Sequence, residues 1–165
     1  MIAITGTPGC GKTTLAGLLR ADGRRVADVK TLAEEQGAVA GHDALDDADV
    51  VDVDALTIPE VDFVEGHLAH LLPCDAIWVI RCDPVKLEAR MAARGYGHEK
   101  IRENLEAEAM DLILQEALDA GVPVIQRDGT QRTPKALLSA FAEVEPASLN
   151  SHDIEPVDWS DWLLG

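Results

Sequence analysis

Cysteine is scarce: the 165-residue chain has three, Cys10, Cys74 and Cys82. An odd number, with no pair at metal-ligand spacing, argues against both a disulfide framework and a zinc site. Long apolar runs are missing too. No stretch approaches the roughly 18 consecutive apolar residues of a membrane helix. The N-terminal apolar run is too short, and lacks the basic flank, for a secretory signal. The expectation is a cytoplasmic protein without membrane contact. Positive charge is the third shortage. Fourteen Lys and Arg face thirty Asp and Glu, a formal net charge of −16. Nucleic-acid backbones are held by cationic side chains that displace counterions, so this surface argues against direct, non-specific binding of RNA or DNA. The same acidity, concentrated in runs such as DALDDADVVDVD, reads as a halophilic trait: in a salty cytosol, screening tames self-repulsion. Internal repeats and low-complexity tracts are absent as well, and a hydrophobic fraction of 47% is ordinary for a globular chain with a real core.

What is present alternates between strand and helix patterns. Met1 to Thr5 reads as a central strand, and KTTLAGLLRA (Lys12 to Ala21) as the helix after it. A short apolar element near Val26 precedes a second helix, VKTLAEEQ, stopped by Gly37. No regular structure is assigned to the acidic stretch Gly41 to Asp54. VDFVE (Val61 to Glu65) and AIWVIR (Ala76 to Arg81) read as strands. Val85 to Arg94 is a helix, broken at RGYGH. Glu99 to Ala120 then reads as one long amphipathic helix with Ile101, Leu105, Ala109, Leu112, Ile113 and Ala117 on one stripe. PVIQ gives a last strand and TPKALLSAFAEV a last helix, with Thr133 as N-cap and Pro134 at its first position. Such alternation predicts an α/β fold with a parallel sheet covered on both faces. The tail after Pro146 carries Trp159, Trp162 and Leu163 on one helical face. It reads either as a strap on the domain's own surface or as a docking peptide for a partner.

Chemistry concentrates at Gly6 to Thr13. GTPGCGKT satisfies G-x-x-x-x-G-K-[ST] in the setting that gives the pattern meaning: strand, loop, helix. Glycines let successive N–H groups face one anion, and the helix adds its positive end. Lys12 supplies a cation for the outer phosphates, the Thr13 hydroxyl a ligand for Mg²⁺, and Thr14 a further phosphate contact. The ligand is a nucleoside triphosphate. Cys10, within the loop, reads as a tolerated small residue, not a reactive thiol. Arg90 and Arg94 are one helical turn apart at the edge of the RGYGHEK break. They read as a solvated face or as cations that close over a transferring phosphoryl group, with Gly95 and Gly97 as hinge.

Taken in order, GTPGCGKTT, VEGH, IRCDP, RMAARGYGHEKIRENLEAE and QRDGTQRTP resemble the adenylate kinase 6 family of small nucleoside monophosphate kinases, also called CINAP, with archaeal members. The resemblance covers Met1 to about Val144. The phosphate loop is shared by many families, whereas RGY followed by ENLEAE is narrow. The resemblance implies a P-loop NTPase fold of the nucleoside monophosphate kinase type, three-layer α/β/α with a parallel sheet. One domain would span residues 1–145, with an AMP-holding flap at about 28–51 and a lid at about 93–103. The tail, 146–165, falls outside it.

The implied ATP contacts are Gly9, Cys10, Gly11, Lys12, Thr13 and Thr14, with Arg94 from the lid. The loop QRDGTQ would face adenine through Gly129 and Thr130. The family's D-x-H motif matches Glu65-Gly66-His67, so Glu65 would hold Mg²⁺ through water beside Thr13, and His67 would either orient water or serve structure. Glu65 stands where aspartate is usual. Glu34 stands where an arginine gripping AMP is expected, and Lys30 and Arg81 are the candidates to replace it. His70 and His98 read as surface, and Asp52 and Asp54 as part of the acidic face. The implied reaction is ATP + AMP ⇌ 2 ADP, with ATPase activity and a role in small-subunit ribosome maturation through ribosomal protein uS11. Two alternatives stay open: an ATPase assembly factor acting on uS11 with incidental kinase activity, or a kinase with another small acceptor.

Overall fold

The N-terminal strand β1 (Ile2–Thr5) is the centre around which the chain winds, in a computed structural model that describes residues 1–43 and 48–165. After it come α1 (Lys12–Ala21), β2 (Val26–Asp28) and α2 (Val29–Gln36), then β3 (Val39–Asp43) and β4 (Ala48–Val51). They are followed by β5 (Phe63–Glu65), β6 (Ala76–Arg81), α3 (Pro84–Ala93), α4 (His98–Ala109) and α5 (Leu112–Asp119). The last elements are β7 (Val124–Asp128), α6 (Pro134–Ala142), β8 (Asp153–Ile154) and α7 (Ser160–Leu164). Among the described residues, six strands form one parallel sheet in the order β2-β5-β1-β6-β7-β8, and β3 pairs with β4 as a separate antiparallel hairpin.

Alternation along β6 shows why the sheet needs helices on both faces. Trp78 and Ile80 enter one core and Ile77 and Val79 the other. The first core receives Leu15 and Leu19 of α1, Leu87 and Met91 of α3, Ile101 and Leu105 of α4, and Leu137 and Phe141 of α6. Trp78 stacks on Phe141 with ring centroids 4.8 Å apart. The second core takes Val29 of α2 and Leu114 and Ala117 of α5. The result is a three-layer α/β/α fold of the nucleoside monophosphate kinase type. Cys10, Cys74 and Cys82 are unpaired thiols. Among the described residues, no helix is long and apolar enough to cross a membrane.

Two sequence expectations change, and a third, open between two readings, is narrowed to the strap. The single helix over Glu99 to Ala120 is two helices, broken where Asp111 adopts left-handed backbone (φ 57°). The apparent stripe belonged to two different cores: Ile101 and Leu105 pack on one side of the sheet, Leu114 and Ala117 on the other. Leu112, counted in that stripe, is exposed. A left-handed residue other than glycine costs roughly 1–2 kcal/mol. Here the Asp111 carboxylate accepts a 2.6 Å bond from Arg81.

Second, the acidic stretch is not irregular throughout, since it carries the β3–β4 hairpin; its residues 44–47 lie outside the described ones. Third, the tail adds β8 to the sheet beside β7 and lays Trp162 against the first core. Leu163, grouped with Trp162 in the sequence, is exposed.

Candidate functional site

The loop between β1 and α1 turns so tightly that its first glycine is obligatory. A Cβ at Gly6 would sit 2.5 Å from the Ile80 carbonyl oxygen, and Gly6 has φ +147°. Gly11, at φ +111°, caps α1. The Lys12 ammonium is buried and folded back, donating to the carbonyls of Gly6 (2.7 Å) and Thr7 (3.1 Å). Thr13 and Thr14 follow on the exposed side of the first turn. Burial pushes the Cys10 thiol above its ordinary range despite the neighbouring Lys12, so it is a poor nucleophile.

Two carboxylates stand beside this turn. Asp28 ends β2, Glu65 ends β5, and the two are register partners. Ligands of open α/β sheets bind at such carboxyl ends. Glu65 is 3% exposed. Desolvation and the Asp28 charge push its carboxyl up to about 7, against the pull of Lys12. His67, two residues on, lines the cavity; partial desolvation first, then Lys12, His70 and Lys100, push its imidazole below the ordinary range. Among the described residues no group of three or more His, Cys, Asp or Glu could hold a metal alone. The donors available to a hard cation are all oxygens: the Thr13 hydroxyl and this carboxylate pair. They fit Mg²⁺ that arrives with phosphate oxygens. A dication would also relieve the like-charge repulsion between Asp28 and Glu65.

A cavity of about 920 Å³ opens over the carboxylates and the loop. It gathers Gly9, Gly11, Lys12, Thr13 and Thr14 with Glu65 and His67, and reaches Lys30, Arg94 and His98 at its rim. Arg94 caps the end of α3 and Gly97 the start of α4. Between them Gly95 (φ +80°) and Tyr96 line the same space. A second cavity, about 450 Å³, lies on the other side of the loop. It shares Gly9, Gly11, Thr14 and Arg94 with the first and adds Cys10, Arg90, Gly129 and Arg132. Arg90 donates to the Gly9 carbonyl at 2.8 Å, so its guanidinium already lies on the loop.

Other residues singled out in the sequence lie elsewhere. Arg81 does not line the cavity. It is 2% exposed and donates to Glu108 Oε1 (2.8 Å), the Glu108 carbonyl (2.7 Å), Gln126 Oε1 (3.1 Å) and Asp111 Oδ1. A guanidinium so engaged has no reach to a substrate. Thr130 lines neither cavity; its hydroxyl donates to Asp128 Oδ1 and accepts from the Asp83 N–H. His70 is not on the surface. It is 2% exposed, between the Thr5 hydroxyl and Glu116, each at 2.8 Å. His98 is exposed, as are Asp52 and Asp54, which line neither cavity.

Sequence reasoning missed Asp28, whose N-cap bond to the Thr31 N–H (2.7 Å) disguises a site residue as a helix signal. It also missed Arg132, and Glu108, which accepts from the Thr7 hydroxyl of the loop at 2.5 Å.

Comparison with known proteins agrees with this geometry. The family model described as "AAA domain" matches residues 2–111. A Methanothermobacter thermautotrophicus protein is 39% identical, with all of both chains covered. An Archaeoglobus fulgidus protein is 39% identical over 99% of this chain and 92% of its own. One from Halobacterium salinarum is 38% identical over 98% and 99%. Each is named "Putative adenylate kinase".

Proposed function

We propose that this chain, which belongs to the AAA-domain family and to the family of nucleotide kinases formed by those full-length archaeal relatives, transfers the γ-phosphoryl group of ATP to AMP to give two ADP. The observation that carries the reading is the meeting of two cavities at one phosphate-binding turn, with Gly9, Gly11, Thr14 and Arg94 lining both. In this reading the smaller cavity takes the donor's nucleoside, and the larger takes AMP beneath a flap at 28–51 and a lid at 93–103.

Loop N–H groups and the N-terminus of α1 hold the donor phosphates. Lys12 leaves the Gly6 and Thr7 carbonyls for phosphate oxygens, and Arg94 closes from the lid over the charge that spreads in the transition state. The AMP phosphate is already an anionic nucleophile, so no general base is required. Positioning and charge neutralisation supply the rate. Mg²⁺, when bound, neutralises phosphate charge. Thr13 would hold it directly, and Glu65, with Asp28 beside it, through water. Lys30 is the cation assigned to AMP in place of the arginine absent at Glu34, and closure of the lid excludes water.

The test follows ADP and phosphate separately with Mg²⁺, ATP and either AMP, CMP, dAMP or no acceptor. ADP formed without phosphate, only when AMP is added, is the expected result. Phosphate release regardless of acceptor would favour an ATPase instead. One observation supports that second reading: His67 lines the cavity two residues from Glu65, where its imidazole is able to orient a water. The lid sequence RGYGHEK supports the narrower adenylate kinase 6 assignment. An acidic surface of charge −16 suits a basic partner such as ribosomal protein uS11, in keeping with a role in ribosome maturation. Absence of uS11 enrichment over a control basic protein at high salt removes that partner.

A further inference from the structure

The C-terminal segment does more than cover the sheet edge. β8 joins β7 through the register pairs Ile125↔Asp153 and Gln126↔Ile154. The chain then continues the ladder at Glu155, whose N–H donates to the Gln126 carbonyl (3.2 Å) while Gln126 Nε2 donates back to the Glu155 carbonyl (2.6 Å). One oxygen of the Glu155 carboxylate accepts two further bonds, from the Asp128 N–H at 3.0 Å and from Arg132 at 2.6 Å. The same Arg132 nitrogen donates to the Asp128 carbonyl at 2.7 Å. A single carboxylate thus ties both ends of the 128–132 turn together, and that turn is a wall of the smaller cavity through Gly129 and Arg132.

A second anchor in the same strand provides an internal contrast. Asp153 pairs with Arg127 at 2.6 Å, and Arg127 also donates to the Ala140 carbonyl. Neither Asp153 nor Arg127 lines either cavity. The two anchors fasten one strand, but only the Glu155 anchor reaches the cavity wall.

We propose that Glu155 is a positioning residue: it fixes Arg132 and the 128–132 turn as the wall against which the donor nucleoside packs, so that the C-terminal segment sets donor affinity. This rests on the reading of the smaller cavity as the donor site. A guanidinium held in place offers a flat cationic face for a base, whereas a free one must be ordered at each binding event. Linkage makes the coupling reciprocal: a donor that gains from the ordered turn also tightens the tail that orders it.

The experiment titrates full-length protein with Mg·ATP by calorimetry, at an ionic strength that keeps it folded, for wild type, E155A, E155Q and D153A. Hydrogen exchange over residues 152–158 is read with and without ATP. E155A is expected to raise the ATP Kd about five- to twentyfold, E155Q less because it keeps an acceptor, and D153A by less than about twofold. ATP slows exchange of the tail in wild type and not in E155A. If E155A does not fold, E155Q decides alone, by a Kd raised or equal to wild type. Wild type that binds no ATP would overturn the donor-site reading itself. Wild type that binds while the Glu155 variants match it, or D153A that weakens ATP as much as E155A, would overturn the role of Glu155.

Discussion

The two cavities share one turn of backbone yet are built differently. Around the smaller one the polar groups are already tied down: Arg90 to the Gly9 carbonyl, Arg132 to Glu155 and Asp128. Around the larger one Lys12 is tied to the loop carbonyls, but two cations at the rim are looser. Arg94, which lines both cavities, and Lys30 are exposed, and Lys30 pairs with Glu34 at 3.9 Å. Groups held in place cost little entropy to use, and exposed ones must be ordered when the substrate arrives. On the proposed reading, the donor would meet a finished surface, and the acceptor would order its own cations beneath the Gly95–Gly97 segment.

The comparison breaks most severely at the shared turn. Lys12→Ala should lower kcat/KM for ADP formation by about 10³-fold or more; wild-type turnover would put the phosphates elsewhere. Arg81→Ala should leave Glu108 buried without its main partner. The expected loss is about 3–5 kcal/mol of stability, read from denaturant midpoints, with the AMP KM of folded protein unchanged. A raised AMP KM at full stability would return Arg81 to the site. On the loose side, Arg94→Ala should reduce kcat by about 10²-fold while the ATP KM stays within about threefold, because its contact forms in the transition state.

Glu65 gives a pH signature with a defined sign. Its folded carboxyl titrates at about 7, above the ordinary 4.5, so the fold favours its protonated form. That contribution is complete below the ordinary value and is lost as pH rises through 7. Between pH 5 and 8, ligand-free wild type should therefore lose about 2 kcal/mol more stability than Glu65→Gln. Equal pH slopes would contradict it. Smallest of all, Lys30→Ala should raise the AMP KM about three- to tenfold and leave the ATP KM alone. An effect on ATP instead would dissolve the distinction between the two cavities.

Much of this molecule was legible because its strongest elements obey one rule at a time. The helix KTTLAGLLRA and the strand AIWVIR have the limits the sequence suggested, since each packs in one setting under one periodicity. The α4–α5 break was hidden because residues of two opposite cores happened to share one helical stripe. Arg81 looked available because a sequence shows a cation near a site but not the Glu108, Gln126 and Asp111 oxygens that enclose it. His70 carried no sign of burial, because its partners Thr5 and Glu116 are distant in the chain. Asp28 was the opposite case. Its local role as a helix cap was readable, while its pairing with Glu65 depended on the parallel register of β2 and β5.

On the proposed reading, donor and acceptor nucleotides meet across a single phosphate-binding turn. Calorimetric titration with diadenosine pentaphosphate, which joins two adenosines through five phosphates, tests it most directly. One molecule should bind per chain, at least about 100-fold tighter than ATP, because one ligand fills both cavities and loses its free motion once. Affinity no better than that of ATP, or two molecules bound per chain, would contradict it.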